Sequence, residues 1–228
     1  MPPKIVLIRH AQGYHNVDNN LPDPKLTPLG ESQCLTLRES LRQRFDAVPA
    51  QDVAVVVSPM VRTLQTASLA LDWLAAKGVV FEANANWQEV SSDPCDVGTP
   101  LALHPAWPPI FTFDHLDPVW PDKTSPAATR YAPSRAAVVE RGRRCLEDLY
   151  RRPEKLVFVV SHSAFLRAGC VGWWFFNGDY RIFEFEQGAR QDGSRRVLVQ
   201  DESTISGGLG LSRTCRVPLG DGLPDLSN

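Results

Sequence analysis

Short runs of aliphatic residues recur along the chain, and polar residues end each of them. Residues 4–8 (KIVLI), 53–57 (VAVVV) and 155–163 (KLVFVVSHS) have this pattern, and residues 79–83 (VVFEA) form a shorter version of it. Continuous apolar runs of this length are typical of strands that a sheet buries on both faces. The pattern therefore predicts four strands.

Helical segments follow the first two of these strands. Thr27 suits the N-cap of a helix and Pro28 its first position, and leucines then recur at helical spacing. In the next segment, Ser58 is predicted to cap a helix that Pro59 starts and Gly78 stops.

The second half of the chain continues this alternation. A helix is predicted over residues 134–150, and residues 164–175 also have a helical pattern. Two more strands are predicted over residues 181–187 and 195–200, with a turn at residues 188–194 between them. Alternating strands and helices are typical of α/β proteins, so we predict a three-layer α/β/α sandwich with a mostly parallel central sheet.

Residues 93–133 interrupt the alternation. Nine of the 19 prolines fall there, which argues against a long helix because proline removes a helical hydrogen bond. We expect this segment to be a proline-rich insertion that forms a lid on a single domain spanning residues 1–228. Residues beyond about 203 are expected to form a loosely ordered tail.

Composition narrows the functional classes. The chain is 43% hydrophobic and 22% charged, with a formal net charge of −2, so no overall attraction to nucleic acid or to an anionic membrane surface is expected. No apolar run approaches the roughly 18 residues of a transmembrane helix. The five cysteines form no CxxC pair, which indicates reduced thiols and a cytoplasmic location rather than disulfides or a zinc site.

Reactive side chains occur where the predicted strands end. Arg9 and His10 end the first strand, His162 lies at the end of another, and Arg62 lies one turn into a predicted helix. Because parallel strands open onto one crevice at their carboxyl ends, we expect these side chains to meet. Arginine binds phosphate oxygens in a fork, and a neutral imidazole can attack phosphorus. The pattern indicates phosphoryl transfer with no metal and no organic cofactor.

Four stretches of the sequence resemble the signatures of a known family. They are residues 7–16 (LIRHAQGYHN), 26–33 (LTPLGESQ), 58–67 (SPMVRTLQTA) and 159–169 (VVSHSAFLRAG). In this order they resemble the histidine phosphatase superfamily, also called phosphoglycerate mutase-like, and the middle of the chain resembles its small fungal-type members. Four ordered motifs are far more specific than a single Arg-His pair. The resemblance implies a phosphoglycerate mutase-like fold.

The resemblance also implies roles for individual residues. His10 corresponds to the nucleophile that becomes phosphohistidine, and Glu89 to the proton donor, whose pKa should be raised in a closed pocket. The residues expected to hold the phosphoryl group are Arg9, Asn16, Arg62 and His162. Further substrate contacts are expected from Tyr14, His15 and Ser163.

Three places depart from the commonest pattern of this family. Ala11 replaces the usual glycine after the nucleophile, and His15 stands where many members have tryptophan. Ser163 and Ala164 replace a glycine-rich turn after His162, which puts the backbone geometry there in question. None of these changes removes a group that the chemistry requires.

The predicted activity is that of a metal-independent phosphomonoesterase of the histidine acid phosphatase type, acting on a small phosphorylated metabolite as a monomer or homodimer. A phosphoglycerate mutase-type isomerase would use the same intermediate, but the long insert of the glycolytic mutases is not evident. The same pocket could instead serve acid/base elimination on a carboxylated or phosphorylated metabolite. A fourth hypothesis is a non-catalytic binding protein. The sequence disfavours it because every group that the catalysis requires is present.

Overall fold

The sheet at the centre of the molecule carries the strands that the sequence predicts. A computed structural model describes residues 1–104, 107–187 and 194–225. Within them, the seven strands are arranged in the order β4-β3-β2-β5-β1-β6-β7. Their bounds are Lys4–Arg9 (β1), Val53–Val57 (β2), Phe81–Ala83 (β3), Phe111–Thr112 (β4), Leu156–Ser161 (β5), Tyr180–Phe185 (β6) and Leu198–Gln200 (β7). The first five strands pair with one another in parallel, whereas β6 runs antiparallel to β1 and β7 antiparallel to β6, so the predicted mostly parallel sheet is confirmed.

Helices cover both faces of the sheet. They are Pro28–Phe45 (α1), Val61–Ala70 (α2), Asp72–Ala75 (α3), Arg135–Tyr150 (α4) and a π-helix, Phe165–Val171. Because successive side chains of a strand point to opposite faces, Val6 and Ile8 of β1 pack with the cluster that includes α1 and α2 residues. Ile5 and Leu7 pack with the cluster that includes residues of α4 and the π-helix. The predicted three-layer α/β/α arrangement is confirmed.

The caps of α1 and α2 differ in how well the sequence predicts them. Thr27 caps α1 as predicted, and its side chain accepts a hydrogen bond from the Gly30 backbone N–H at 3.0 Å. The prediction for α2 is wrong, because this helix begins at Val61 rather than at Pro59. The buried Asp23 carboxylate, far away in the sequence, accepts from the Val61 N–H at 3.0 Å. The Ser58 hydroxyl does not cap α2 and instead contacts a histidine, His162.

Two helix ends are set by glycines in the left-handed region. After α2 the chain breaks at Leu71 into the short α3, and Gly78 ends this segment as predicted, with φ of +87°. The predicted helix over residues 164–175 is too long. Its π-helical turns end at Gly172, where φ is +78°, so Trp173 and the residues after it leave the helix.

The described residues of the proline-rich segment 93–133, which are all but 105 and 106, form no long helix, as predicted. It consists of short 3₁₀ turns and the two-residue β4, which adds to the edge of the sheet beside β3. Its Trp120, Ala128 and Tyr131 are buried in a small cluster with Met60, next to α2. The role of this segment as a lid stays a prediction.

The prediction of a loosely ordered tail beyond residue 203 is wrong for the part that the structure describes. Arg181 of β6 is fully buried and donates to the Ile205 carbonyl at 2.7 Å. The buried Asp179 carboxylate accepts from the Ser212 hydroxyl at 2.6 Å. Buried charges need such partners, and here residues of the tail supply them. The predicted turn at residues 188–194 lies almost wholly outside the described residues.

The helix α4 packs closely against the π-helix on one face of the sheet. A methyl group added at Gly142 of α4 would overlap the carbonyl oxygen of Gly169. Gly142→Ala should therefore lower the free energy of unfolding by about 1–3 kcal/mol, because the backbone of one helix must move. Urea denaturation measures this. The exposed Arg144→Ala on the same helix should change stability by no more than about 0.5 kcal/mol, and equal losses in the two variants would contradict the prediction.

Candidate active site

A cavity of about 380 Å³ opens at the carboxyl ends of β1, β2 and β5. The register of β1 on β5 places Arg9 beside Ser161, so the residues that follow these strands are neighbours. The His10 and His162 rings lie 5.2 Å apart between centroids. Of the predicted site residues, the cavity is lined by Arg9, His10, His15, Asn16, Arg62, Glu89 and Ser163. Tyr14 and His162 are not among the lining residues, and His162 is fully buried beside His10.

His10 is held in one tautomer by its two neighbours. Its Nδ1 lies 2.7 Å from the Ala11 carbonyl oxygen, which can only accept, so Nδ1 carries the proton. Arg62 Nε, which can only donate, lies 3.3 Å from His10 Nε2, so Nε2 carries a lone pair. Burial, followed by the charges of Arg62 and Arg9, holds the pKa of His10 well below its usual range. The imidazole is therefore neutral at neutral pH.

His162 is buried beside His10 with half of its hydrogen-bonding capacity used. Its Nε2 lies 2.8 Å from the Ser58 hydroxyl oxygen. Its Nδ1 is buried and has no partner among the described residues. Burial and the nearby Arg62 charge hold the pKa of His162 well below its usual range. His162 does not line the cavity, so its role in holding the phosphoryl group stays a prediction.

Arg9 and Arg62, two of the arginines that line the cavity, differ in how many of their N–H groups are already used. Arg62 donates Nη1–H to the Cys95 carbonyl at 2.6 Å and forms an ion pair with Asp96 at 3.1 Å. With the contact to His10, three of its five N–H groups are used and two remain for a ligand. Arg9 donates Nη1–H to the Phe175 carbonyl at 2.9 Å, and desolvation lowers its pKa to about 10.

Glu89 caps the helix that follows β5. Its Oε1 accepts from the Phe165 N–H at 2.9 Å, and its Oε2 accepts from the Ala164 N–H at 3.2 Å. Burial raises the pKa of Glu89, and the Asp96 charge adds to this, whereas the Arg62 charge opposes it. The predicted direction of the shift is confirmed. The substituted turn at Ser163-Ala164 thus supplies a backbone donor that positions the acid.

Two buried cations behind Glu89 were not predicted. Lys123 from the proline-rich segment is 2% exposed, and its Nζ donates to the Glu89 and Ser91 carbonyls at 2.9 and 2.8 Å. Burial lowers the pKa of Lys123 to about 7. Arg141 of α4 also donates to the Glu89 carbonyl, at 3.4 Å. These contacts fix the backbone that carries the acid.

The loop after β1 brings two predicted residues to the cavity. The His15 ring is 5.1 Å from that of His10, and burial together with the Arg62 and Arg9 charges lowers the pKa of His15 to about 3. The side-chain Oδ1 of Asn16 accepts from the Gly13 N–H at 3.2 Å, which leaves the side-chain Nδ2 available as a donor.

Other lining residues that the sequence analysis missed are Asn19, Asp93, Cys95, Asp96, Ala164, Arg167 and Trp174. Arg167 lies in the motif of residues 159–169, five positions after His162. Its membership of this motif was the one sequence feature that could have indicated a place at the cavity. Ser58, also missed, lies in the motif of residues 58–67. None of the helices in the described part of the chain has both the length and the hydropathy needed to cross a bilayer.

Comparison with known proteins agrees with this geometry. The sequence model of the histidine phosphatase superfamily (branch 1) matches residues 5–189. A Schizosaccharomyces pombe protein named "Probable phosphatase" is 30% identical over 170 residues, which cover 72% of this chain and 75% of the relative. An Arabidopsis thaliana phosphoglycerate mutase-like protein is 30% identical over 204 residues, which cover 71% of each chain.

Solved structures show the same fold. A mycobacterial glucosyl-3-phosphoglycerate phosphatase superposes with a TM-score of 0.51 at 20% identity, covering 87% of this chain and 97% of that one. A phosphoserine phosphatase from Entamoeba histolytica superposes with a TM-score of 0.51 at 19% identity, covering 88% and 98%. The family match and the sequence relatives support an enzyme of the phosphatase or mutase type. The chain belongs to the histidine phosphatase superfamily.

Proposed function

We propose that this protein is a metal-independent phosphomonoesterase that hydrolyses a small phosphorylated metabolite through a phosphohistidine on His10. The observation that carries the proposal is the state of His10, which is neutral and has its Nε2 lone pair beside the guanidinium of Arg62. A neutral nucleophile surrounded by cationic donors suits attack on a phosphate ester. The five cysteines are unpaired, which supports the proposed cytoplasmic location.

In the first step, His10 Nε2 attacks phosphorus and the bond from phosphorus to the ester oxygen breaks. Before the attack, as the ester binds, the hydrogen bond from Arg62 Nε–H shifts from His10 Nε2 to a phosphoryl oxygen and frees the lone pair. Arg9 and Asn16 also donate to the phosphoryl oxygens. The Ala11 carbonyl, 2.7 Å from Nδ1, stabilises the positive charge that develops on the ring. Protonated Glu89 gives its proton to the leaving oxygen, so the alcohol departs neutral.

In the second step, Glu89 acts as a carboxylate. It takes a proton from a water molecule whose oxygen attacks phosphorus, and the bond between phosphorus and Nε2 breaks. Phosphate leaves, and both His10 and Glu89 return to their starting states. A raised pKa for Glu89 suits this double role, since the group must both give and take a proton near neutral pH.

The proposal predicts that purified protein releases inorganic phosphate from a broad panel of phosphomonoesters in the presence of excess EDTA. Phosphate release is measured colorimetrically at several pH values. Isomerisation of a monophosphoglycerate in a coupled assay, without phosphate release, would instead favour the mutase alternative. Loss of a substrate proton without transfer of label from [32P]phosphoester would favour elimination. Activity that appears only after a divalent metal is added would contradict the metal-independent scheme.

A further inference from the structure

We propose that Arg167 binds a carboxylate on the leaving part of the substrate, so that the preferred substrates are phosphomonoesters of carboxylated alcohols. This inference rests on the proposed function and specifies its substrate class. The residue lines the same cavity as His10 and Arg62. It is not needed for the phosphoryl-transfer steps described above.

Hydrogen bonds at both ends of the π-helix hold the backbone that carries Arg167 beside the cavity. It follows Ser163, another lining residue, by four positions, so both side chains lie on about the same side of the helix. The Glu89 carboxylate holds the first backbone N–H groups of this helix. At the other end, the Gly172 N–H donates to the Arg167 carbonyl at 2.9 Å. A fixed backbone lowers the entropy cost of using the side chain for binding.

Arg167 differs from the other arginines near the site in having no partner for its guanidinium among the described residues. Arg62 is paired with Asp96, and Arg9 donates to a backbone carbonyl. The Arg141 guanidinium lies 4.2 Å from the centroid of the Phe165 ring. The Nε of Arg167 is buried without an acceptor, as are those of Arg9 and Arg141, but those two arginines each donate through another nitrogen. The Arg167 side chain is half-buried. Because an unsatisfied charged donor is unfavourable, this side chain is placed to bind a ligand.

The charges of the cavity favour a carboxylate over a second phosphate. Arg9 and Arg62 already line the cavity beside His10, where the phosphoryl group is proposed to bind. One further guanidinium matches a single negative charge and can hold two carboxylate oxygens in its fork. A second phosphate would bring up to two negative charges to a cavity that Asp93 and Asp96 also line. The cavity of about 380 Å³ leaves room for a small acid beyond the phosphoryl group.

A matched pair of substrates tests this inference. 3-Phosphoglycerate and glycerol 3-phosphate differ in having a carboxylate or a hydroxymethyl group at one end. We expect the wild-type kcat/KM to be higher for 3-phosphoglycerate. Arg167→Met should lower this value about 10- to 100-fold, as expected for a lost charge-assisted hydrogen bond, and should change the value for glycerol 3-phosphate less than about threefold. Arg167→Lys should recover part of the loss.

The control variant is Arg213→Met, which removes an exposed arginine from beside Trp174 but outside the cavity lining. This variant should keep the preference for 3-phosphoglycerate over glycerol 3-phosphate. That result would distinguish a direct contact of Arg167 with the carboxylate from a general effect of lost positive charge. Binding of both compounds to His10→Ala and to His10→Ala/Arg167→Met, measured by calorimetry, gives the same comparison without turnover. An equal loss on both compounds, or no preference in the wild type, would overturn the inference. Absence of His10-dependent hydrolysis of p-nitrophenyl phosphate would instead refute the proposed function.

Discussion

His10→Ala should lower kcat for phosphomonoester hydrolysis by about 10⁴-fold or more, the largest effect expected of any single substitution in this chain. The variant keeps the cations of the pocket but lacks the Nε2 lone pair that forms the covalent bond. Water would have to attack the ester directly, without the two-step route. Steady-state phosphate release under saturating substrate measures the loss.

The proposed covalent intermediate gives a second measurement of the role of His10. Wild-type protein mixed with a [32P]phosphoester and quenched in alkali should carry label, because phosphohistidine is stable to base and labile to acid. His10→Ala should carry none. The exposed His115→Ala is the matched control, since it removes a histidine outside the cavity lining, and it should label and turn over like the wild type. Label retained by His10→Ala would assign the nucleophile to another residue.

Glu89→Gln should lower kcat by about 10²- to 10⁴-fold for esters of alkyl alcohols, because these leaving groups need a proton. The loss should be smaller with p-nitrophenyl phosphate, whose leaving group is stable as an anion. Glutamine keeps the size of the side chain and one oxygen that can accept from the Phe165 N–H. Glu82→Gln is the control, since Glu82 pairs with Arg152 and does not line the cavity.

The pH profile of kcat/KM follows from the two pKa shifts, because kcat/KM reports the ionisation of groups in the free enzyme. Glu89 must be protonated to act as an acid. Because its pKa is raised, activity should persist to higher pH than for an ordinary carboxyl group. It should then fall as the pH rises through the pKa of Glu89. His10 must be neutral, and because its pKa is lowered, activity should persist well below pH 6.5 before it is lost. Glu89→Gln should remove the alkaline limb and keep the acid limb. An unchanged alkaline limb in this variant would assign the proton donor to another group.

Much of the site could be predicted because its reactive residues lie directly beside regular elements. Arg9-His10 and Ser161-His162 each end an aliphatic strand, and parallel pairing brings such ends together. Thr27-Pro28 likewise marks the start of α1 through contacts within a few residues. Short-range patterns of this kind are present in the sequence itself.

Other features depend on residues that meet only in the folded chain. Asp23 caps α2 from 38 residues away, so the local Ser58-Pro59 signal was wrong. Lys123 looks like a surface lysine in a proline-rich segment, yet it is buried against the backbone of Glu89. The tail appeared irregular, yet it supplies the acceptors for Arg181. The hydrophobic periodicity of the sequence does not predict such pairings, since each depends on packing between segments that are distant in the chain.

The sequence alone thus determined six of the seven described strands, the succession of elements along the chain and the residue types at the strand ends, because hydrophobic periodicity and helix caps act over a few positions. The two-residue β4 was not predicted. Tertiary structure alone decided which nitrogen of His10 carries its proton, which backbone groups hold Glu89, and that the guanidinium of Arg167 lines the cavity without a partner among the described residues. The physical reason is that protonation, desolvation and pairing depend on the neighbours of an atom in space, and those neighbours come from all parts of the chain.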